Sequence, residues 1–136
     1  MYATYSKIYF MKKILLVVED PFFSTVLRAV LEKEGCLVDS AANGKEAYSC
    51  LEAKTYDLVV ARPLLSYHNG YELLNKINQD TELTNTRVMM ISPVSNAESI
   101  SQCLRLGAEV YLKWPIVMND FLVSVRSLLS DKQIAA

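Results

Sequence analysis

Four apolar runs in this chain of 136 residues end on groups that could do chemistry. Glu19 and Asp20 follow ILLVV, and Arg62 follows LVVA. Ser92 follows VMMI, and Lys113-Trp114-Pro115 follows VYL. Paired carboxylates can hold a hard cation, which takes oxygen ligands. They can equally accept the planar fork of a guanidinium, whose charge is permanent. A hydroxyl and an ammonium suit an anion. A small α/β enzyme built on Glu19, Asp20 and Ser92 is the weakest reading, because no set of base, nucleophile and oxyanion donor is visible.

These groups need a frame that brings the ends of the runs together. Ile14–Val18 is apolar without alternation, as in a strand buried on both faces. Asp20 can cap the helix that follows, with Pro21 at its first position. Phe23, Val26, Leu27, Val30 and Leu31 form its apolar stripe, and Gly35 stops it. Further strands are expected at Cys36–Ala41, Leu58–Ala61, Val88–Ile91 and Val110–Leu112, with helices at Lys45–Ala53 and Tyr71–Asn78. Ser95-x-x-Glu98 is a capping-box pattern for a fourth helix ending at Gly107. Asn119 or Asp120 caps a fifth, with Leu122, Val125, Leu128 and Leu129 inward. Such alternation implies an α/β fold, with a parallel sheet, helices on both faces and right-handed crossovers. In open sheets of this kind ligands sit beyond the carboxyl ends of the strands, where the groups above should converge.

Composition narrows the classes. Formal net charge is -1, which does not point to nucleic acid. Half the residues are hydrophobic, enough for one core, and residues 12–130 read as one domain. Residues 1–11 read as an N-terminal extension and 131–136 as a tail. In that extension Tyr2, Tyr5, Tyr9 and Phe10 could form an adhesive arm. No run is long and apolar enough to span a membrane, and the first residues lack the features of a signal peptide. Cys36, Cys50 and Cys103 show no metal or disulfide spacing and read as reduced residues of a cytoplasmic protein.

ILLVVED, ANGKEAYSCL, YDLVV, NGYELL, VMMIS and GAEVYLKWP occur in an order and spacing that resemble the receiver domain of bacterial two-component response regulators. The resemblance runs from about Lys12 to Leu129. It implies a flavodoxin-like (βα)5 three-layer sandwich with a five-stranded parallel sheet of order 2-1-3-4-5. In receivers an Asp at the tip of the third strand takes a phosphoryl group from a histidine kinase. Two acids after strand one help bind Mg²⁺, while a Ser or Thr after strand four and a Lys before a Pro after strand five contact the phosphoryl group.

By that resemblance Glu19 and Asp20 match the acidic pair, and Ser92 the hydroxyl position. Tyr111 matches the aromatic that changes rotamer with activation, and Pro115 a proline preceded by a cis bond. Arg62, however, stands where the phospho-accepting Asp belongs, and Trp114 where the Lys belongs. Lys113 comes one residue early, which on a strand turns a side chain to the opposite face. Asp57, five residues before Arg62, lies roughly 16 Å away at about 3.3 Å per residue, at the wrong end of the strand. His68 reads as a solvated loop residue.

Arg62 is therefore expected within about 4 Å of Glu19, Asp20 or both, displacing acceptor and metal together. The competing expectation is an Arg62 that points to solvent. Trp114 is expected either to plug the vacated pocket or to anchor a partner. The resulting expectation is a degenerate receiver, a pseudo-receiver that binds no Mg²⁺ and is not an enzyme. It would act as a phosphorylation-independent protein-interaction module. Its partner face would be formed by the fourth helix, fifth strand and fifth helix, with Leu104, Tyr111 and Phe121 as candidate contacts and core packing the favoured reading for Leu104; no nucleic acid or membrane is expected, and a homodimer is compatible. The alternative is a receiver that still switches, through a ligand or redox input.

Overall fold

The computed structural model describes residues 11–63, 69–80, 85–93 and 97–135. The first apolar run forms β1 (Lys13–Val17), with every residue after Lys13 buried. α1 (Pro21–Lys33) begins at an Asp20 cap with Pro21 in its first turn. Gly35 then takes a positive φ of 92°, a conformation that glycine adopts without a Cβ penalty. β2 (Leu37–Ala41), α2 (Gly44–Ala53) and β3 (Leu58–Ala61) follow. α3 (Gly70–Gln79) starts from a full capping box between Asn69 and Glu72. β4 (Arg87–Ser92), α4 (Ala97–Arg105), β5 (Val110–Lys113) and α5 (Met118–Ala135) complete the chain.

α5 starts ahead of the expected caps. The Phe121 N–H donates to the Val117 carbonyl, 3.0 Å, so Asn119 and Asp120 lie inside the first turn. The Ser95 cap, His68 and the aromatic residues of the N-terminal extension lie outside the described residues.

The strands are parallel in the order β2-β1-β3-β4-β5, the flavodoxin-like sandwich that the resemblance implies. Alternation along each strand splits the core in two. Leu15, Val17, Val59 and Ala61 face Ala47 and Leu51 of α2, Leu73, Leu74 and Ile77 of α3, and Cys103 of α4. Ile14, Leu16, Leu58 and Val60 face Leu27 and Leu31 of α1 and Phe121 and Val125 of α5. Each such side chain taken fully out of water contributes about 1.5–3 kcal/mol before entropy is counted. The result is a rigid sheet whose carboxyl ends lie along one edge.

Candidate functional site

The register of the sheet decides where the charged groups stand. Val17 lies opposite Ala61 in the β1–β3 pair. One step further Arg62 is level with Val18, so Glu19 and Asp20 lie beyond it. Asp20 is turned toward its own helix, where its Oδ1 accepts the Phe22 N–H at 3.0 Å. Glu19 is exposed and lines a hollow of about 320 Å³ between α1 and α2, with Arg28, Ser40 and Glu46. Arg62 is half-buried. Among the described residues no ion pair within 4.0 Å joins Arg62 to Glu19 or Asp20. The expected ion pair is thus not formed, and Asp20 serves instead as a helix cap.

The backbone at Arg62 is tightly held. The Gly70 N–H donates to the Pro63 carbonyl at 2.8 Å. A Cβ at Gly70 would stand 2.8 Å from Pro63 Cα and press on the Arg62 carbonyl. The start of α3 therefore rests directly on the residues that end β3.

On the other side of the edge, Ser92 is buried and lies opposite Lys113 in the β4–β5 register. The Trp114 N–H donates to the Ser92 carbonyl, 2.8 Å, and the Trp114–Pro115 peptide bond is cis. The Trp114 ring meets Phe23 of α1 edge-on, with centroids 4.3 Å apart. It remains 36% exposed and lines a hollow of about 310 Å³ with Pro115, Ile116, Val117 and Asp120.

The expected partner residues separate. Leu104 is 46% exposed on α4. Tyr111 is half-buried and packs toward the α2–α4 core. Phe121 is fully buried under the α1–α5 layer and is not a surface contact. On α5 Phe121 faces inward with Val125 and Leu128, in the core between the helix and the sheet.

Titratable groups away from this edge are structural. Asp57 Oδ2 accepts the Lys13 N–H at 2.8 Å, at the amino end of the sheet. Asp39 accepts the Tyr56 hydroxyl at 2.7 Å and lies 3.2 Å from Lys54 Nζ. The Tyr56 hydrogen bond, then Lys54, hold its carboxyl below its ordinary value. Burial, with Glu34 and Asp57 nearby, pushes the Cys36 thiol up to about 11. Burial also raises Cys103.

The profile of the response regulator receiver domain matches residues 14–126. The chain belongs to the response regulator receiver family. It is 30% identical over 123 residues to the transcriptional regulatory protein CrdR of Helicobacter pylori, covering 90% of this chain and 57% of that protein. It is 24% identical to the chemotaxis protein CheY of Halobacterium salinarum, covering 88% of this chain and 98% of that one. The chain thus spans little more than half of CrdR, and 52% of the regulatory protein VanRB of Enterococcus faecalis. Among solved structures, the CheY-like receiver domain protein of Methanospirillum hungatei superimposes with a TM-score of 0.85 at 25% identity, covering 93% of this chain and 99% of that one.

Sequence reasoning passed over two exposed apolar residues of this receiver, Phe22 (77% exposed) and Val117 (61%). The signal was present for Phe22. It lies off the stripe of Phe23, Val26, Leu27, Val30 and Leu31, so an apolar residue there has no core to enter. Among the described residues no group of three or more His, Cys, Asp and Glu could hold a metal, and no helix is long and apolar enough to cross a membrane.

Proposed function

We propose that this receiver works without aspartyl phosphorylation, as a protein-interaction module in a two-component-type pathway. The observation that carries the reading is Arg62 at the end of β3, where the family resemblance calls for the accepting Asp. A guanidinium is no nucleophile toward a phosphoryl donor. Asp57 cannot substitute, because it sits at the opposite end of the strand with its carboxylate on the Lys13 N–H. Trp114 removes the ammonium that would stabilise added negative charge. The chain is then not an enzyme, and its place is the cytoplasm.

Mg²⁺ does not fit the residues present. Asp20 spends a carboxylate oxygen on the Phe22 N–H, and a permanent cation ends the strand where a further oxygen ligand would stand. The α4–β5–α5 face remains the proposed contact through Leu104 and Tyr111, without Phe121. Redox switching is disfavoured at Cys36 and Cys103, whose buried thiols are held protonated.

Acetyl phosphate with Mg²⁺, followed by intact-mass analysis, tests the reading. No added phosphoryl mass is expected. A stoichiometric adduct at any residue of the carboxyl edge would overturn it.

A further inference from the structure

β2 ends the sheet on one side, and among the described residues no strand pairs with its outer side. The Leu37 N–H donates to the Lys12 carbonyl at 2.8 Å, and Leu37, Asp39 and Ala41 lie opposite Lys13, Leu15 and Val17 of β1. Alternate residues of a parallel strand turn their backbone groups to the same neighbour, so Val38 and Ser40 present theirs outward. Such a row of N–H and C=O groups is a template for another strand. Here a side chain of α1 crosses the row. Arg28 donates from Nη1 to the Val38 carbonyl at 2.8 Å and from Nη2 to Ser40 Oγ at 2.9 Å. Glu32 Oε2 lies 3.5 Å from the same Nη1, and Ser24 Oγ of α1 lies 3.4 Å from Ser40 Oγ. The guanidinium thus takes the acceptor that an incoming strand would need.

We propose that Arg28 is a guard that keeps β2 from pairing edge to edge with a second copy of this chain, with Asp39 as a second barrier. The occupant follows from the strand itself. Val38 and Ser40 each offer one outward donor and one outward acceptor, two residues apart, so β2 is complementary to itself about a two-fold axis. In that antiparallel register Val38 of one copy exchanges bonds with Ser40 of the other, and Leu37, 45% exposed, comes opposite Ala41. The same register sets Asp39 opposite Asp39, where like charges oppose pairing. Lys54, 3.2 Å from Asp39, offsets part of that charge. The guard acts at the far side of β1 from Arg62, so it holds whether or not the chain accepts a phosphoryl group.

Arg28→Met tests it, because methionine keeps an apolar stem over the strand and removes both donors. The readouts are mass by sedimentation over a concentration series and residue-level amide hydrogen exchange. The variant is expected to form a dimer as concentration rises, with the Val38 and Ser40 amides slowed about tenfold or more relative to wild type. Adding Asp39→Asn should tighten that dimer about threefold to fivefold. Adding Ser40→Pro should return the monomer, since proline at an outward position removes a donor for pairing without breaking a bond to β1. Glu32→Ala, which leaves Arg28 on Val38, should behave as wild type. An Arg28→Met chain that stays monomeric, or that dimerises with Val38 and Ser40 exchanging as in wild type, would overturn the proposal. So would association that accompanies a general loss of amide protection, which is unfolding rather than edge pairing.

Discussion

Arg62 carries its charge to the end of β3 and forms no ion pair within 4.0 Å with Glu19 or Asp20. Its effect on a cation is then one of field and of a missing oxygen ligand rather than of a closed ion pair. Arg62→Asp should restore a third carboxylate at this edge. With Mg²⁺ at about ten times its dissociation constant the variant should gain about 1.4 kcal/mol, a rise of roughly 4 °C in Tm. The wild-type Tm should not move, and thermal unfolding with and without Mg²⁺ measures both. Equal shifts would show that Arg62 does not exclude the ion. At Asp39 the hydrogen bond from Tyr56 places the folded pKa below the unfolded one. The associated stability is full above the ordinary aspartate pKa and drains as pH falls through the lower, folded value. Tyr56→Phe should therefore flatten the acid limb of a stability–pH curve. Asp39 is substantially exposed, so the change is a small one.

At the scale of elements, helix starts are written in side chains. Asn43 and Asn69 accept the N–H groups of Glu46 and Glu72, and each glutamate reaches back to a backbone N–H. Asp20 does the same for α1, which ties the start of that helix to an acid of the candidate site. Asp20→Ala should cost about 1 kcal/mol in a denaturant titration, and Asp20→Asn should recover most of it. That pattern separates a cap, which asparagine preserves, from a carboxylate needed for its charge. The far end of α1 is tied to α5 by the two-pronged pair of Arg126 and Glu34, at 2.9 and 3.0 Å. The two helices that frame the Phe23–Trp114 contact are thus braced against one another.

For the whole molecule, the sheet divides the work. One face buries α2, α3 and α4, the other α1 and α5, and the carboxyl edge between them carries every candidate site residue near a strand end. Phe121 and Leu104 test this division. Phe121→Ala should cost about 3–5 kcal/mol, because it empties the α1–α5 layer. Leu104→Ala should stay within about 0.5 kcal/mol, because the side chain is 46% exposed. Unfolding midpoints in urea would rank them. Similar losses at both positions would mean that α4 is packed more deeply than this arrangement allows.

The apolar runs, the glycine stops and the asparagine and aspartate caps determined the alternation of strands and helices from sequence alone. Their causes are local: strand periodicity, helix stripe and cap chemistry act over a few residues. Arg62 and Trp114 were legible as departures only against the receiver resemblance, which implies an Asp and a Lys at those positions. What the tertiary structure decided is where those side chains go. Asp20 turned to cap α1 rather than to pair with Arg62, and the packing of α5 on the sheet buried Phe121 in the core. The T-shaped contact of Phe23 and Trp114 joins residues 91 positions apart (114 − 23), which no local pattern encodes. Register and helix phase are fixed by packing between distant segments, and a one-residue change in either moves a side chain to another face.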